Sequence, residues 1–255
     1  MKKSHNEGDF SLTVSRALQL VGLFNPERLE LGITELAREL KLSKTSVHRL
    51  VHALELHRFL DHNPLTRKYR VGAEAFRVGS LFAGNRLERD AQPLMKELVT
   101  NTGFTSYLSL LRNESMVITA SVEGSGPIRY SIPIGQQLPL HSTATGKAAL
   151  SVLEEPAVEA ILKRSGLPRR TSNTQTDLRK LKAELAAIRA RGYSVNWEEH
   201  TAGVGSVAAA IRGAADGSVP VLSIGFATSQ IERKEVPALG ERVAKAAGAI
   251  GKRFP

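Results

Sequence analysis

Residues 33–60 read ITELARELKLSKTSVHRLVHALELHRFL, and the spacing of apolar residues in this stretch decides the fold of the N-terminal part. Leu36, Ala37 and Leu40, then Leu42, then Val47, Leu50, Val51 and Leu54 recur at helical intervals. They predict one helix over 34–40 and another from 43 to about 56, meeting across a turn of about three or four residues. Thr34 and Ser43 are placed to cap them, because a side-chain oxygen there can accept a free first-turn N–H. Apolar inner positions make the pair rigid. The outward positions at the start of the second helix are Lys44, Thr45, Ser46, His48 and Arg49. Hydroxyls can reach phosphates or base edges, and an arginine fork matches guanine in the major groove. The N-terminal end of such a helix is where base contacts fall.

Working outward, residues 12–24 show helical spacing with Val14, Leu18, Val21 and either Leu20 or Phe24 expected inside, closed by Asn25-Pro26. Arg16 on that helix joins the expected DNA-contacting set, as does Ser43. Downstream the period changes to two. Residues 59–62 read as a strand, Asn63-Pro64-Leu65-Thr66 as a turn, and 67–71 as the return strand. A hairpin in this place is a wing, and Arg67 and Lys68 at its tip suit phosphate or minor-groove contact. Residues 44–70 hold six Lys and Arg against Glu55 and Asp61, with His48, His52 and His57 among them. A helical hairpin with a merely solvated charged face is the plain alternative. The order of helix pair, capped helix and basic hairpin argues against it.

Residues 72–87 read as a further helix joining the two halves. The domain division expected is 1–72 for DNA binding, 73–89 for a linker helix, and 90–255 for effector binding and oligomerisation. In the last part, helices are expected over 91–101, 145–153, 156–163, 177–191 and 236–250. Strands are expected over 105–111, 116–122, 128–133, 193–196, 206–212 and 219–227, with hairpin turns at 124–127 and 213–217. Strands with helices clustered between them indicate an α+β domain around an antiparallel sheet.

The 255 residues are 42% hydrophobic, enough for a sizeable core, and lack cysteine, which excludes disulfides and thiolate chemistry. No apolar run reaches ~18 residues, so no membrane span is expected, and the N-terminus does not read as a secretory signal. A cytoplasmic setting is the expectation. The net charge of +10 favours polyanions as partners. It divides as +4 over residues 1–85 and +6 over 86–255, so the excess is not confined to the DNA-reading half.

Catalytic chemistry finds little support. Gly146-Lys147 could belong to a phosphate loop only with glycine at 141 and Ser or Thr at 148, where the chain has His141 and Ala148. The segment from Gly203 to Ala208 fits a loosened dinucleotide pattern but reads as a turn. Glu198, Glu199 and His200 with His141 read as a surface cluster rather than a metal site. No nucleophile stands with a base, so no catalytic residue, metal or cofactor is assigned.

Several separate segments resemble the IclR family of bacterial transcription regulators: TVSRALQLVGLF, the stretch 33–60, KYRVG, LPLHSTATGKAALSVL (138–153), and the run from GYSVNWEEH to FATSQI. The resemblance spans about residues 11 to 251. It implies a winged helix-turn-helix, a linker helix and a GAF-like effector-binding domain with an antiparallel sheet. It also implies homodimers, usually paired into tetramers, that bind double-stranded operators and answer to a small metabolite, often controlling catabolic operons.

By position, the family's effector pocket falls on Tyr130, Leu138, Ala144, Thr145, Asn196, Val204, Ser206, Ser223 and Gly225. Asn196 stands where relatives often carry an acid, Ser206 where many carry cysteine, and Gly225 where some carry a hydroxyl. Ala144, Thr145 and Gly146 would offer backbone N–H groups at a helix start, which favours an anion. A small organic acid, aromatic ones included, is the expected effector. The alternatives are a small-molecule enzyme with an accessory DNA-binding-like domain and an architectural DNA-binding protein that answers to no ligand.

Overall fold

The computed structural model describes residues 11–82, 85–126, 128, 130–213 and 218–253. The chain forms two compact units, divided between Ala83 and Gly84.

The first unit contains α1 (Leu12–Val21), α2 (Ile33–Leu40), α3 (Lys44–Leu56), a hairpin of β1 (Leu60–Asn63) and β2 (Lys68–Val71), and α4 (Ala73–Ser80). Leu20, Leu31, Leu36, Val47, Val51 and Leu60 form its core. Ser43 caps α3 as expected, accepting from Ser46 N at 3.2 Å. Thr34 does not cap α2. The helix begins one residue earlier, at a Gly32 N-cap whose N–H donates to Glu35 Oε2 at 2.7 Å. Lys41 enters the left-handed region (φ 53°) and ends α2, leaving Leu42 and Ser43 to complete the turn. A bridge from Leu31 to Tyr69, with both bonds 2.9 Å, adds a third rung to the wing.

Of the inner positions weighed for α1, Leu20 holds and Val14 and Leu18 do not. Leu20 is the residue fully inside, while Val14 is 56% and Leu18 68% exposed. The helix is apolar on more than one side, so spacing alone does not choose the buried face. The helix expected over 72–87 stops at Ser80. A new helix, α5 (Arg86–Thr102), begins after Asn85, whose side chain accepts from Glu88 N at 2.8 Å. Gly72 is required where α4 departs, since a Cβ there would lie 2.3 Å from Arg58 O.

The second unit contains α5 and, in order, β3 (Thr105–Arg112), β4 (Ser115–Val122), β5 (Gln137–Pro139), α6 (Ala144–Ser151), α7 (Glu155–Ser165), α8 (Leu178–Arg191), β6 (Ser194–Trp197), β7 (Val204–Ala210), β8 (Pro220–Ala227) and α9 (Val236–Gly251). The sheet order is β5-β4-β3-β8-β7-β6, and every neighbouring pair is antiparallel. Helices cover both faces. Met95, Leu98, Val243 and Ile250 from α5 and α9 pack on Val207, Leu222, Ile224 and Phe226. Leu150, Leu162, Leu181 and Ile188 from α6, α7 and α8 share the opposite core with Tyr107, Ile118, Ala208 and Val221. Alternation along β7 and β8 sends successive side chains to the two cores. All eight residues of α6 are buried.

Three expectations change here. Ile128 and residues 130–133 are not in a strand; Pro127 and Arg129 lie outside the described residues. The third strand on that side is β5, further along. Gly124 is accordingly not the tip of a tight hairpin: it packs on the end of α5, where a Cβ would meet Gly103 O at 2.4 Å. Of the segment read as a turn at 203–208, only Gly203 (φ 76°) turns, and Val204 already belongs to β7. At 213–217, residues 214–217 lie outside the described set, but β7 and β8 pair as the expected hairpin requires.

Candidate DNA interface and effector pocket

At the start of α3, Lys44, Thr45, His48 and Arg49 are exposed while Val47 and Leu50 anchor the helix inside. Ser43 and Ser46 bond to each other, Oγ to Oγ at 2.9 Å, so these hydroxyls are already partnered. Arg16 is half-buried on α1. At the wing, Arg67 takes a left-handed conformation (φ 55°) and is exposed. Lys68 is not free: its Nζ lies 3.3 Å from Glu35 Oε2, on the first helix of the pair. That pair ties the wing to α2. Exposed Arg58 and Arg70 enlarge the basic surface beyond the set named from sequence.

The pocket lies between the sheet and the start of α6. Strand register places Asn196, Ser206 and Gly225 side by side on β6, β7 and β8. Ser223 stands between Ala208 and Tyr107 one step along. Tyr130, Leu138, Thr145 and Val204 complete the predicted residues that line it. Asn196 is held on both sides of its amide: Nδ2 donates to Ser206 Oγ at 3.3 Å, and Oδ1 accepts from Glu199 N at 2.8 Å.

Ala144 and Gly146 do not line the cavity. Gly146 is packed against Leu140, whose Cα would stand 2.3 Å from an added Cβ. Its N–H already donates to Thr143 Oγ1 at 3.1 Å, so it offers no open donor. Thr143, the true N-cap of α6, lines the cavity instead.

The open space is about 30 Å³, little more than water-sized. Tyr130 closes it, with its ring near Gly225, where a Cβ would be 3.3 Å away. The Tyr107 hydroxyl donates to Tyr130 O and accepts from Ile132 N at 3.2 Å, fixing this segment over the sheet. Burial pushes the Tyr107 phenol up to about 12 and raises Tyr130 as well. Among the described residues, no Asp, Glu, Lys or Arg lines the pocket. His200 does, and burial lowers its basicity, helped by nearby Arg170 and His141.

Behind the pocket, Lys147 from α6 is wholly buried and pairs with Glu184 at 2.7 Å and Glu199 at 2.6 Å. Glu199 and His141 are therefore interior residues and not part of a surface cluster. His141 bonds to Pro168 O at 2.9 Å, and burial lowers its basicity. No group of metal-ligating side chains occurs among the described residues.

The sequence profile of the IclR helix-turn-helix domain matches residues 13–64, and that of the bacterial transcriptional regulator IclR C-terminal domain matches residues 82–252. The chain belongs to the IclR family. It is 32% identical to the regulator XynR of Escherichia coli K12, over 94% of this chain and 96% of that one. It is 34% identical to the acetate operon repressor of Salmonella typhimurium LT2, over 92% and 87%. An IclR transcriptional regulator structure from Silicibacter sp. TM1040 superposes with a TM-score of 0.86 at 29% identity, covering 95% of this chain and 99% of that one. These relatives are transcriptional regulators and not enzymes. This IclR-family chain is thus a regulator with a DNA-binding domain and an effector domain.

Sequence reasoning missed Tyr107, Ile118, Ile132, Thr143, His200, Thr201 and Ile224 in the IclR pocket. Alternation along β3 and β4 could have found Tyr107 and Ile118. Nothing local marks His200 and Thr201, which the β6–β7 turn carries in. No helix among the described residues is long and apolar enough to cross a membrane.

Proposed function

We propose that the protein is a cytoplasmic, ligand-responsive regulator of a catabolic operon whose effector is a small organic acid. The observation that carries this is the pocket lining: hydroxyls of Thr145, Ser206 and Ser223, the Asn196 amide and the His200 ring face Ile118, Ile132 and Leu138. Such a surface solvates a small polar head with neutral donors and walls in carbon. The acetate operon repressor among the relatives supports the same chemical class. With about 30 Å³ open, entry of a metabolite requires Tyr130 to move, which supplies two states for a ligand to bias.

Ser43, Lys44, Thr45, Ser46, His48 and Arg49 on α3, with Arg16, Arg67 and Lys68, form the proposed duplex-contacting set. Homodimers, paired into tetramers, are part of the same reading. Their support is apolar surface left outside the first core: Phe76 is 77% exposed and Leu81 73%.

Calorimetry on the full-length chain with acetate, pyruvate, benzoate and 4-hydroxybenzoate tests the effector class, with glucose and putrescine as controls. Binding of an acid that also shifts occupancy of a duplex from upstream of the gene is expected. Binding confined to the sugar or the amine overturns the proposal.

A further inference from the structure

Among the described residues, no Lys or Arg of residues 86–255 lines the sensing pocket. Four cations of that region, Arg189, Arg191, Arg212 and Lys252, line a second cavity of about 580 Å³, with no acidic residue among the described residues of its wall; Glu154 lies in the adjoining groove. The two cavities share no residue.

Three helices end at this second cavity. Ser151 and Val152 close α6, Arg191 and Gly192 close α8, and Gly251 and Lys252 close α9; all six stand in the wall. Helix C-termini attract cations, which accounts for part of the cluster. Each end carries about half a negative charge, so three ends offset roughly 1.5 of the four positive charges. A surplus of roughly 2.5 remains.

Two of the cations are held in place by bonds that leave other donors uncommitted. Arg189 donates through Nε to Ser151 O at 2.8 Å and through Nη2 to Leu153 O at 3.0 Å. Arg191 donates through Nε to Tyr193 O at 2.7 Å, with its guanidinium 5.0 Å from the Tyr193 ring centre. Arg212 and Lys252 are exposed, and neither forms an ion pair among the described residues. Between the cations the floor is small and apolar, from Ala148, Ile188, Ala210, Ala244 and Gly248. Gly251 lets α9 end against the chain just after β7, where a Cβ would stand 2.4 Å from Arg212 O. Fixed guanidinium forks suit phosphate-like oxygens, and the volume is that of an ordinary small-molecule site.

We propose that this cavity binds a small organic anion with a flat apolar body and a doubly charged, phosphate-like head. It is a second ligand site, apart from the sensing pocket. A dianion fits better than a monoanion because a single charge leaves cations repelling one another.

The test is calorimetry of the full-length protein with 2-naphthyl phosphate, beside 2-naphthol and inorganic phosphate. Saturable binding of the naphthyl phosphate is expected, stronger than that of either half and weakened by added salt. The double variant R212A/K252A changes only exposed side chains. It lowers that affinity at least about tenfold, the ordinary effect of losing a charge-assisted bond. Gly225→Leu, which fills the sensing pocket, leaves the binding unchanged. Absence of saturable binding overturns the proposal, as does equal affinity in R212A/K252A. Loss of binding in Gly225→Leu assigns the ligand to the sensing pocket and also overturns it. So does a parallel loss of duplex affinity or of oligomer in R212A/K252A, which assigns these cations to DNA or to a second copy of the chain.

Discussion

Lys147 Nζ lies 2.6 Å from Glu199 Oε1, and the lysine side chain has no solvent exposure. The pair joins the buried helix α6 to the turn that carries His200 into the pocket. Glu199 Oε2 is buried with no hydrogen-bond partner among the described residues, so the ion pair to Oε1 is the carboxylate's short polar contact.

Lys147→Met leaves the Glu199 carboxylate inside without its cation, and the expected loss of stability is about 3–5 kcal/mol. Urea unfolding measures it. Glu199→Gln in the same chain should recover part of the loss. An equal loss in both backgrounds would show that Lys147 matters only as packing. Burial raises the Glu199 carboxyl despite Lys147 beside it. The folded form thus holds its proton more tightly than the unfolded chain does. Its contribution is present below the unfolded pKa and lost as pH rises through the folded one, and Glu199→Gln should remove that slope.

On α3, Arg49→Ala should reduce discrimination between operator and random duplex by about 1–3 kcal/mol. Lys68→Ala should weaken all duplexes alike and lower the salt slope by about one unit. Glu35→Gln keeps a side chain able to accept from Gly32 N but removes the charge paired with Lys68. Duplex affinity at low salt should rise. Filter binding across a salt series checks all three; unchanged preference in Arg49→Ala would remove that residue from the base-reading set.

In the pocket, an added Cβ at Gly225 already stands 3.3 Å from Tyr130 and 3.4 Å from Tyr107. Gly225→Leu should displace Tyr130 and abolish the response to the effector while duplex affinity persists. A reporter that still responds would place the effector elsewhere.

Burial, with Arg170 and His141 nearby, holds His200 below its ordinary basicity, which favours the neutral ring. A bound carboxylate favours the imidazolium, so binding takes up a proton. Affinity for an acid effector should rise as the pH falls through the His200 pKa of the complex, and level off only below the lowered pKa of the free protein, under the ordinary histidine value. His200→Phe should flatten this profile, whereas His141→Phe should leave it sloped. Arg170 and His141 also act on this ring and help set its starting value.

Phe76→Glu on α4 should yield monomers in sedimentation experiments without lowering the melting temperature, because Phe76 contributes nothing to its own unit's core. A variant that remains associated would move the dimer contact to another surface.

The helix-turn-helix was legible because its apolar residues face one way and its caps are local. The inner face of α1 was legible only in part, since Leu20 was one of two choices for it and Val14 and Leu18 stay exposed. The pattern at 128–133 suits a strand, yet strandhood depends on an edge to pair with, and β5 occupies it. Asn196, Ser206, Ser223 and Gly225 were legible through the family resemblance, and strand register brings them together. Lys147 was weighed only as part of a phosphate loop. Its burial depends on Glu184 and Glu199, 37 and 52 residues away, and no local window holds that information.

The sheet order places β3 beside β8, pairing Thr105 with Gly225. The first and last strands of the domain therefore meet at its centre, and the pocket floor is built on that seam. During synthesis no sensing cavity can exist until β8 has left the ribosome. Contacts that distant in sequence form slowly. A chain cut short after β7 would keep a foldable DNA reader but no means of silencing it, so premature termination should produce a deaf regulator instead of an inert one.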